Sequence, residues 1–389
     1  MLARLALFAL AALIFAQPAG AITGEKPEFK QVADGVYAYI GKLNDANALA
    51  IVTREGVVLV DTGNNTTDSR EIARQLRAVT DQPIRYVVIS QNHGDHVGGT
   101  PLFSPNATVI VHERVAKLWA AMKPYQIASW RKRFAERASV LANFNPIDTV
   151  VAFNDRMTLH LGGRDIELIY VDDLHNPGDV AVWLPKERVL HGGFAAYKDR
   201  HPDICPDYSH GTTAGMLKQL YAYIALKPLV VVPAHGPLSD VKDLQVMVDY
   251  LLLARKKVGA MMDRGLALPA IEREFHMNEF VAWDRKEHFN WMAGTIHREL
   301  RGEGPLEVRY QQKQVSGTIT RVVLDGRQVF VKTSDGSELQ LRVTGDTDVQ
   351  GIADRTEVRP GMNLSALYHI PEGVAASLGY DALEVKVSP

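Results

Sequence analysis

Apolar and polar residues follow two different spacings along the chain, and the spacing changes from segment to segment. Short runs that alternate or are continuously apolar are typical of β-strands, whereas apolar residues that recur once per helical turn are typical of helices. Strands are predicted over residues 36–40, 48–53, 57–60, 85–89, 109–111, 180–184, 188–190 and 229–232, and an alternating stretch covers 157–170. Helices are predicted over residues 69–79, 115–141, 213–226, 243–265 and 283–300. Because strands and helices alternate in two successive halves, we predict an α/β fold with sheets flanked by helices.

The pattern changes after Gly302. A glycine-bearing stretch at 302–305 is followed by short alternating segments over residues 315–322, 328–333 and 338–344. Asp-Gly pairs at 325–326 and 335–336 separate these segments and are strong hairpin signals. We therefore predict a main domain over residues 22–302, then a linker and a small all-β, barrel-like domain over residues 303–389. This module carries no cluster of His, Asp and Cys, so no catalytic residue is assigned to it, and its protein partner is unknown.

The first residues have the pattern of a cleaved signal peptide. Arg4 precedes an apolar run over residues 5–16, and Ala19-x-Ala21 offers the small side chains that a signal peptidase accepts. The run is shorter than the roughly 20 residues that span a bilayer. We therefore expect residues 1–21 to be removed, leaving a periplasmic or secreted protein without a membrane span.

Composition and charge narrow the possible partners. The formal net charge is −2, with no long basic run, so the chain lacks the electrostatic pattern of a nucleic-acid-binding protein. Hydrophobic residues make up 46% of the chain and charged residues 23%, which is ordinary for a globular protein. Cys205 is the one cysteine in the sequence, so stability has to come from a packed core and not from an intramolecular disulfide.

Several side chains that bind metals are crowded into one short segment. Gln91, His93, Asp95 and His96 directly follow the apolar strand predicted over residues 85–89. A loop at the end of a buried strand can direct several side chains to one point. Two imidazoles and a carboxylate are costly to bury without partners, and a metal would satisfy them together.

This segment resembles the His-x-His-x-Asp-His pattern of the metallo-β-lactamase superfamily. Two later matches follow in the family's order: His175 lies in Asp-Leu-His-Asn-Pro-Gly-Asp, and His235 lies in Val-Pro-Ala-His-Gly. The resemblance extends over most of residues 30–300. It implies an αββα sandwich and a metal-dependent hydrolase.

The resemblance also implies two metal positions. One would be formed by Gln91, His93 and His175, and the other by Asp95, His96 and His235. Asp61, in Val-Leu-Val-Asp-Thr-Gly, matches a family aspartate that lies beneath the metal loop and orients a ligand without binding the metal itself.

Two residues depart from the family's commonest pattern. Gln91 stands in place of a histidine, and since a neutral amide oxygen is a poorer zinc ligand, the first position is expected to bind more weakly. Gly193, in Val-Leu-His-Gly-Gly-Phe, stands where many hydrolases of the family place a metal-bridging aspartate. We therefore expect one or two zinc ions per chain, with iron less favoured.

The expected chemistry follows from this resemblance. Zinc lowers the pKa of a bound water to about 7 and polarises a carbonyl group. This implies hydroxide attack on an amide, ester, lactone or thioester of a small periplasmic substrate. Asp95 is expected to orient the nucleophile. His93 and His175 would serve as general bases if only the stronger metal position is filled.

Three alternative functions stay open at this point. A true β-lactamase is favoured by export and by the residues Gln91 and Gly193, although the added C-terminal module argues against it. An iron-dependent sulfur dioxygenase of the same superfamily typically uses the first motif histidine and the bridging aspartate, and both are replaced here. The third alternative is a non-catalytic periplasmic binding or accessory protein with a weakened metal site.

A few more side chains are candidates for the mouth of the site. His191, His201 and His210 are expected there if the family layout holds, and Tyr208 and Trp130 are candidates for lining the pocket. Single histidines and aromatic residues more often have a packing or solvated role, so none of them is assigned to the chemistry.

Overall fold

The fold is described from a computed structural model. It describes residues 27–41, 46–63, 66–121, 150–171, 175, 178–202, 204, 211–284, 289–303, 310–323, 328–343, 347–352, 357–371 and 380–389. Several sequence predictions lie outside these residues: the signal peptide at 1–21, Trp130, Cys205, Tyr208, His210, the Asp-Gly pair at 325–326 and the second part of the helix predicted over 115–141. Within the described residues, no helix is both long enough and apolar enough to cross a membrane.

The first sheet joins a meander of antiparallel strands to a set of parallel ones. Its seven strands, hydrogen-bonded in chain order, are β1 Glu28–Ala33, β2 Val36–Ile40, β3 Ala48–Thr53, β4 Gly56–Val60, β5 Ile84–Val88, β6 Thr108–His112 and β7 Val150–Phe153. Pairing is antiparallel from β1 to β4 and parallel from β4 to β7. Parallel neighbours need crossover connections. The helices of this half are α1 Thr66–Arg77, α2 Gly94–Val97, α3 Thr100–Phe103 and α4 Glu113–Ala121.

The second sheet has five strands in the order β12-β11-β10-β9-β8. Their bounds are β8 Arg156–Leu161, β9 Arg164–Val171, β10 Asp179–Leu184, β11 Val189–Gly193 and β12 Val230–Pro233. Helix α5, Thr213–Leu226, lies in the crossover between the parallel strands β11 and β12. A short 3-10 helix, Phe194–Ala196, follows β11 directly.

The two sheets pack face to face because their strands present apolar side chains on both surfaces. In β4, Val58 and Val60 belong to the hydrophobic core shared with the second sheet. Val57 and Leu59 point to the opposite face, where Ile72 of α1 packs. The outer face of the second sheet packs against α5 and against helices that follow β12 in the chain. The predicted αββα sandwich is therefore confirmed.

The remaining helices and a third sheet complete the described chain. The helices are α6 Val241–Asp263, α7 Leu268–Glu274 and α8 Phe289–Leu300. The third sheet contains β13 Tyr310–Val323, β14 Gln328–Thr333, β15 Glu338–Arg342, β16 Asp348–Gln350, β17 Asn363–Pro371 and β18 Tyr380–Ser388. It has a hydrophobic core of its own, which agrees with the predicted all-β C-terminal region. The Arg342 guanidinium lies over the Trp291 ring of α8, 4.6 Å from its centroid. The exact boundary at residue 302 stays a prediction.

Two segments differ from the sequence prediction for identifiable reasons. The alternating stretch over 157–170 is a hairpin of β8 and β9, because Gly162 and Gly163 adopt φ values of 55° and 84° that turn the chain. Trp283, where a helix was predicted to begin, is not helical, and the helix described in this region is Phe289–Leu300. Trp283 lies instead in an aromatic cluster, stacked on Tyr250 with ring centroids 5.0 Å apart. The aromatic contact outweighs the helical periodicity there.

Candidate metal centre

The candidate metal loop begins at the carboxyl end of β5, beside the end of the parallel strand β4. The backbone N–H of Asp61, just after β4, donates to Val88 O at 2.9 Å, and Thr62 N donates to His96 O at 2.9 Å. Carboxyl ends of parallel strands meet at one edge of a sheet. Asp61 has a φ of 61°, in the left-handed region that aspartate tolerates better than most residues. This edge therefore brings Asp61 beneath the loop that carries the candidate ligands.

Asp95, His96 and His235 converge on one point. Their potential ligand atoms all lie within 4.8 Å of one another. The Asp95 Oδ2 atom is 3.5 Å from His235 Nε2 and 4.0 Å from His96 Nε2. One carboxylate and two imidazoles form a donor set that suits zinc. These residues fit a metal ion, as the sequence predicts for the second position.

Asp61 orients His96. The Asp61 Oδ2 atom lies 2.6 Å from His96 Nδ1, and both residues are fully buried. The same carboxylate accepts hydrogen bonds from Ser90 N at 2.8 Å and from Ser90 Oγ at 2.6 Å. A carboxylate fixes the proton on the ring nitrogen that faces it, so His96 presents the lone pair of Nε2 on its other side. This is the supporting role that the sequence resemblance implies for Asp61.

His235 reaches the site through a connection between the two halves of the sandwich. It follows β12, and Asn47 from the first sheet holds this turn: Asn47 N donates to Ala234 O at 2.8 Å. The Asn47 side-chain amide donates to Pro233 O and to Gly236 O, each at 2.9 Å. Asn47 is fully buried. The third candidate ligand is thus held by a residue that the sequence analysis did not single out.

The other predicted position is arranged differently. His93 and His175 lie edge to face, with ring centroids 4.5 Å apart. Gln91 is 2% exposed, and its Nε2 atom lies 2.7 Å from His96 Nε2. With the His96 proton on Nδ1, the Gln91 amide donates this hydrogen bond to Nε2. Gln91 therefore contacts His96, a candidate ligand of the second position, at the nitrogen atom that would bind a metal there.

The turn after β11 presents a phenyl ring to this position. Gly193 has a φ of 54°, and a Cβ atom built on it would meet only Val180 O, at 3.9 Å. The next residue, Phe194, stacks on His175 with ring centroids 3.6 Å apart and an interplanar angle of 9°. A carboxylate from this turn is absent at both residues. Asp179, at the start of β10, has its Oδ2 atom 4.0 Å from His175 Nδ1.

Neighbouring charges and burial set the protonation states of the centre. Burial raises the pKa of Asp95, but His96, His235 and His93 together outweigh it, so this pKa lies below its ordinary value. Burial lowers the pKa of His96, but Asp61 and Asp95 outweigh it, and the pKa is raised. Burial, followed by the charges of His93 and His96, brings the pKa of His175 well below its ordinary value.

Two histidines expected near the mouth of the site are buried instead. His191 and His201 are both 0% exposed. His201 Nδ1 lies 2.9 Å from the Tyr250 hydroxyl, away from the candidate ligands. His191 Nε2 lies 3.8 Å from Asp61 Oδ2, behind the loop. The prediction that these two residues lie at the mouth was wrong: His191 lies within β11, all of whose residues are buried, and His201 packs against Tyr250 and Trp283.

The sequence pattern of the metallo-beta-lactamase superfamily matches residues 41–235. This region is half of the chain and contains every candidate ligand. The chain therefore belongs to the metallo-beta-lactamase superfamily.

Individual relatives are distant. The chain is 25% identical over 194 residues to 2,4-dinitroanisole O-demethylase subunit alpha of Nocardioides sp., a match that covers 49% of this chain and 53% of that protein. It is 22% identical over 203 residues to a metallo-beta-lactamase type 2 of Bacillus sp., covering 51% of this chain and 70% of that protein. The chain thus spans only about half the length of the first of these relatives.

A solved structure supports the fold. The sec-alkylsulfatase Pisa1 from Pseudomonas sp., described as stereoselective and inverting, superposes with a TM-score of 0.55 at 16% identity. The match covers 70% of this chain and 50% of that one. At this identity the likeness concerns the fold alone.

Proposed function

We propose that this protein is a metal-dependent hydrolase in which Asp95, His96 and His235 hold a zinc ion. The observation that carries the proposal is the approach of these three side chains, from the short helix α2 and the turn after β12, to within 4.8 Å. Asp61 prepares His96 for this role by holding its Nδ1 atom at 2.6 Å. Gln91, His93 and His175 would form a weaker, adjacent position.

The side chains around the zinc position have different roles in the proposed hydrolysis. Zinc, when bound, acidifies water and polarises a carbonyl group. Asp95 stays ionised because three histidines lower its pKa, so it accepts a hydrogen bond from the attacking water and orients it. His175 is held neutral by burial, and His93 lies against it. If only the stronger position is filled, these two imidazoles are the proposed general bases.

The proposed substrate is a small molecule with an amide, ester, lactone or thioester bond. The named relatives comprise a β-lactamase and an O-demethylase subunit, and the superposed structure is an alkylsulfatase. The bond that is cleaved thus differs among proteins of similar sequence or fold. A substrate panel should therefore include β-lactams, simple esters, thioesters, lactones and sulfate esters.

The first experiment counts metal before it measures activity. The protein is purified without chelator, zinc and iron per chain are quantified, and the panel is assayed before and after chelation. An Asp95→Ala/His235→Ala variant removes two proposed ligands. A His160→Ala variant is the matched control, because His160 is an exposed histidine paired with Asp165. We expect about one zinc per chain in the wild type and the control, and loss of zinc and activity in the double variant.

The outcomes separate the alternative functions. Turnover of β-lactams alone would identify a true β-lactamase within the same proposal. Bound zinc without turnover of any substrate would favour the binding or accessory protein. Failure to retain zinc or iron after reconstitution would refute the hydrolase.

We also propose that the protein acts in the periplasm or outside the cell, after removal of residues 1–21. The support is the charged start, the apolar run and Ala19-x-Ala21. N-terminal sequencing of the protein recovered from an expressing bacterium is expected to start at Ile22. Recovery of the intact Met1 terminus from the cytoplasm would contradict this.

A further inference from the structure

A row of aromatic and imidazole rings connects the two candidate metal positions. It starts with His93 and His175, continues through Phe194, which stacks on His175 at 3.6 Å, and then reaches Tyr197, whose centroid is 5.0 Å from that of Phe194. Tyr197 lies 6.2 Å from the His235 ring. Phe194 is 3% exposed. The apolar Phe194 ring therefore lies in the row of rings between His175 of one position and His235 of the other.

The two ligand groups differ in charge. Asp95 gives the position that it forms with His96 and His235 an ionised carboxylate, and the Asp61 carboxylate lies behind His96. Gln91, His93 and His175 include no carboxylate, and the Asp179 Oδ2 atom lies 4.0 Å from His175 Nδ1. Two divalent ions in one centre lie only about 4 Å apart and repel each other strongly unless anionic ligands offset their charge. Phe194 offers no lone pair and covers the His175 ring, so a second cation would exchange its hydration for amide and imidazole ligands alone, with no carboxylate from this turn.

We infer that Phe194 limits this centre to one tightly bound metal ion, held by Asp95, His96 and His235. This inference rests on the proposed function, because it concerns the same metal centre. It assigns to Phe194 a role in metal stoichiometry. The His93–His175 pair is then left available to the substrate side of the reaction.

The test is a zinc titration of the metal-free protein. Calorimetry measures each binding event, and native mass spectrometry counts the zinc ions bound per chain. The variants are Phe194→Asp, which places a carboxylate beside His175, and Phe194→Leu, a matched control that stays apolar. Gln91→His separates the effect of the amide from that of the ring. Phe194→Asn provides an oxygen donor without charge if the aspartate variant fails to fold, which circular dichroism reports.

We expect about one tight zinc per chain in the wild type, in Phe194→Leu and in Gln91→His, and about two in Phe194→Asp. If Phe194→Asp does not fold, Phe194→Asn should strengthen the second binding event by about tenfold or more relative to Phe194→Leu. A Phe194→Asn variant no different from Phe194→Leu would then refute the role of Phe194.

Three other results would also overturn the inference. Two tightly bound zinc ions in the wild type would refute the inference while leaving the proposed hydrolase intact. If Asp179→Asn then bound only one, the Asp179 carboxylate would be the group that offsets the charge of the second ion. If Gln91→His bound a second zinc ion while a folded Phe194→Asp variant still bound only one, Gln91 and not Phe194 would be the residue that limits the number of zinc ions. A wild type without tight zinc would refute both the inference and the proposed function.

Discussion

Asp61 is the residue on which the geometry of the proposed zinc ligand His96 depends most directly. It accepts from Ser90 N and Ser90 Oγ and lies 2.6 Å from His96 Nδ1. Asparagine tolerates the left-handed backbone of this position, so Asp61→Asn should preserve the fold while removing the charge. We expect zinc affinity to fall by about 10- to 100-fold, measured by competition with a chromophoric chelator.

A surface pair provides the control for this prediction. Asp165 and His160 make the same carboxylate–imidazole contact, at 2.7 Å, in exposed positions. Asp165→Asn should leave zinc affinity unchanged. Equal affinities of Asp61→Asn and wild type, with both proteins folded, would show that Asp61 does not orient the ligand.

His191 should make the metal-free protein sensitive to mild acid. Burial lowers its pKa from 6.5 to about 4, although Asp61 opposes the shift. Neither ring nitrogen has a hydrogen-bond partner within the described part of the chain. Between these two pKa values the unfolded chain binds a proton that the folded protein does not. Stability therefore falls as the pH drops from about 6.5 to 4, by on the order of 3 kcal/mol in total.

The measurement is urea unfolding at several pH values in the presence of a chelator. His191→Phe should lose less stability than the wild type over this window, because the buried group that would have to charge is removed. His160→Phe, at an exposed histidine, should follow the wild type. Parallel curves for His191→Phe and the wild type would refute the assignment.

At the scale of helices and strands, Glu299 of α8 joins two helices. Its carboxylate accepts from Thr213 N at 2.6 Å, from Thr213 Oγ1 at 2.7 Å and from Ala214 N at 3.3 Å, at the first turn of α5. It also pairs with Arg255 of α6. The helix N-terminus and the guanidinium are both left without their charge partner if this side chain is removed.

We therefore expect Glu299→Ala to lower the free energy of unfolding by about 3 kcal/mol. Denaturant unfolding monitored by circular dichroism is the measurement. Glu303, just beyond the end of the same helix, pairs with Arg301 on the surface, and Glu303→Ala should have no measurable effect. If both variants unfold alike, this partly buried network does not stabilise the helical layer.

Regular elements with a complete periodic signal could be predicted from the sequence. Helix α5 and strand β2 have the predicted bounds, Thr213–Leu226 and Val36–Ile40. Strands β7 and β18 were missed, because they become recognisable as strands only through pairing with β6 and β17. Local propensity contains no information on such partners.

The same distinction applies to the site. The metal loop, His175 and His235 have sequence signals of their own, and the structure brings Asp95, His96 and His235 together. Asn47 and Phe194 have none, since an asparagine after a loop and a phenylalanine after Gly-Gly are ordinary residues. Their roles depend on contacts over long sequence separations, for example between Asn47 and Gly236.

At the scale of the whole molecule, zinc should stabilise the sandwich and leave the C-terminal sheet unaffected. A ligand that binds only the folded state adds about 4 kcal/mol at a thousandfold excess over Kd. We expect hydrogen exchange to slow in residues 90–97 and 233–236 when zinc is added. Strands β13–β18, with their separate core, should exchange at the same rate with and without it.

Mass spectrometry of deuterium uptake makes this measurement, and the Asp95→Ala/His235→Ala variant is its control. Slower exchange in β13–β18 as well would mean that the C-terminal sheet responds to the centre, through contacts such as that of Arg342 with Trp291. Unchanged exchange in residues 90–97 would contradict zinc binding at this loop.

The attachment of the His235 turn to Asn47 has a consequence for the order in which the protein is built. During synthesis the chain that carries Asp95 and His96 emerges long before His235, and the first sheet can form while the third ligand is still unmade. Only when β12 has joined the second sheet and its turn has bonded to Asn47 are all three ligands in place. We therefore expect the proposed metal to be bound late, after β12 has folded, so that the compartment in which folding finishes would determine which metal the protein acquires.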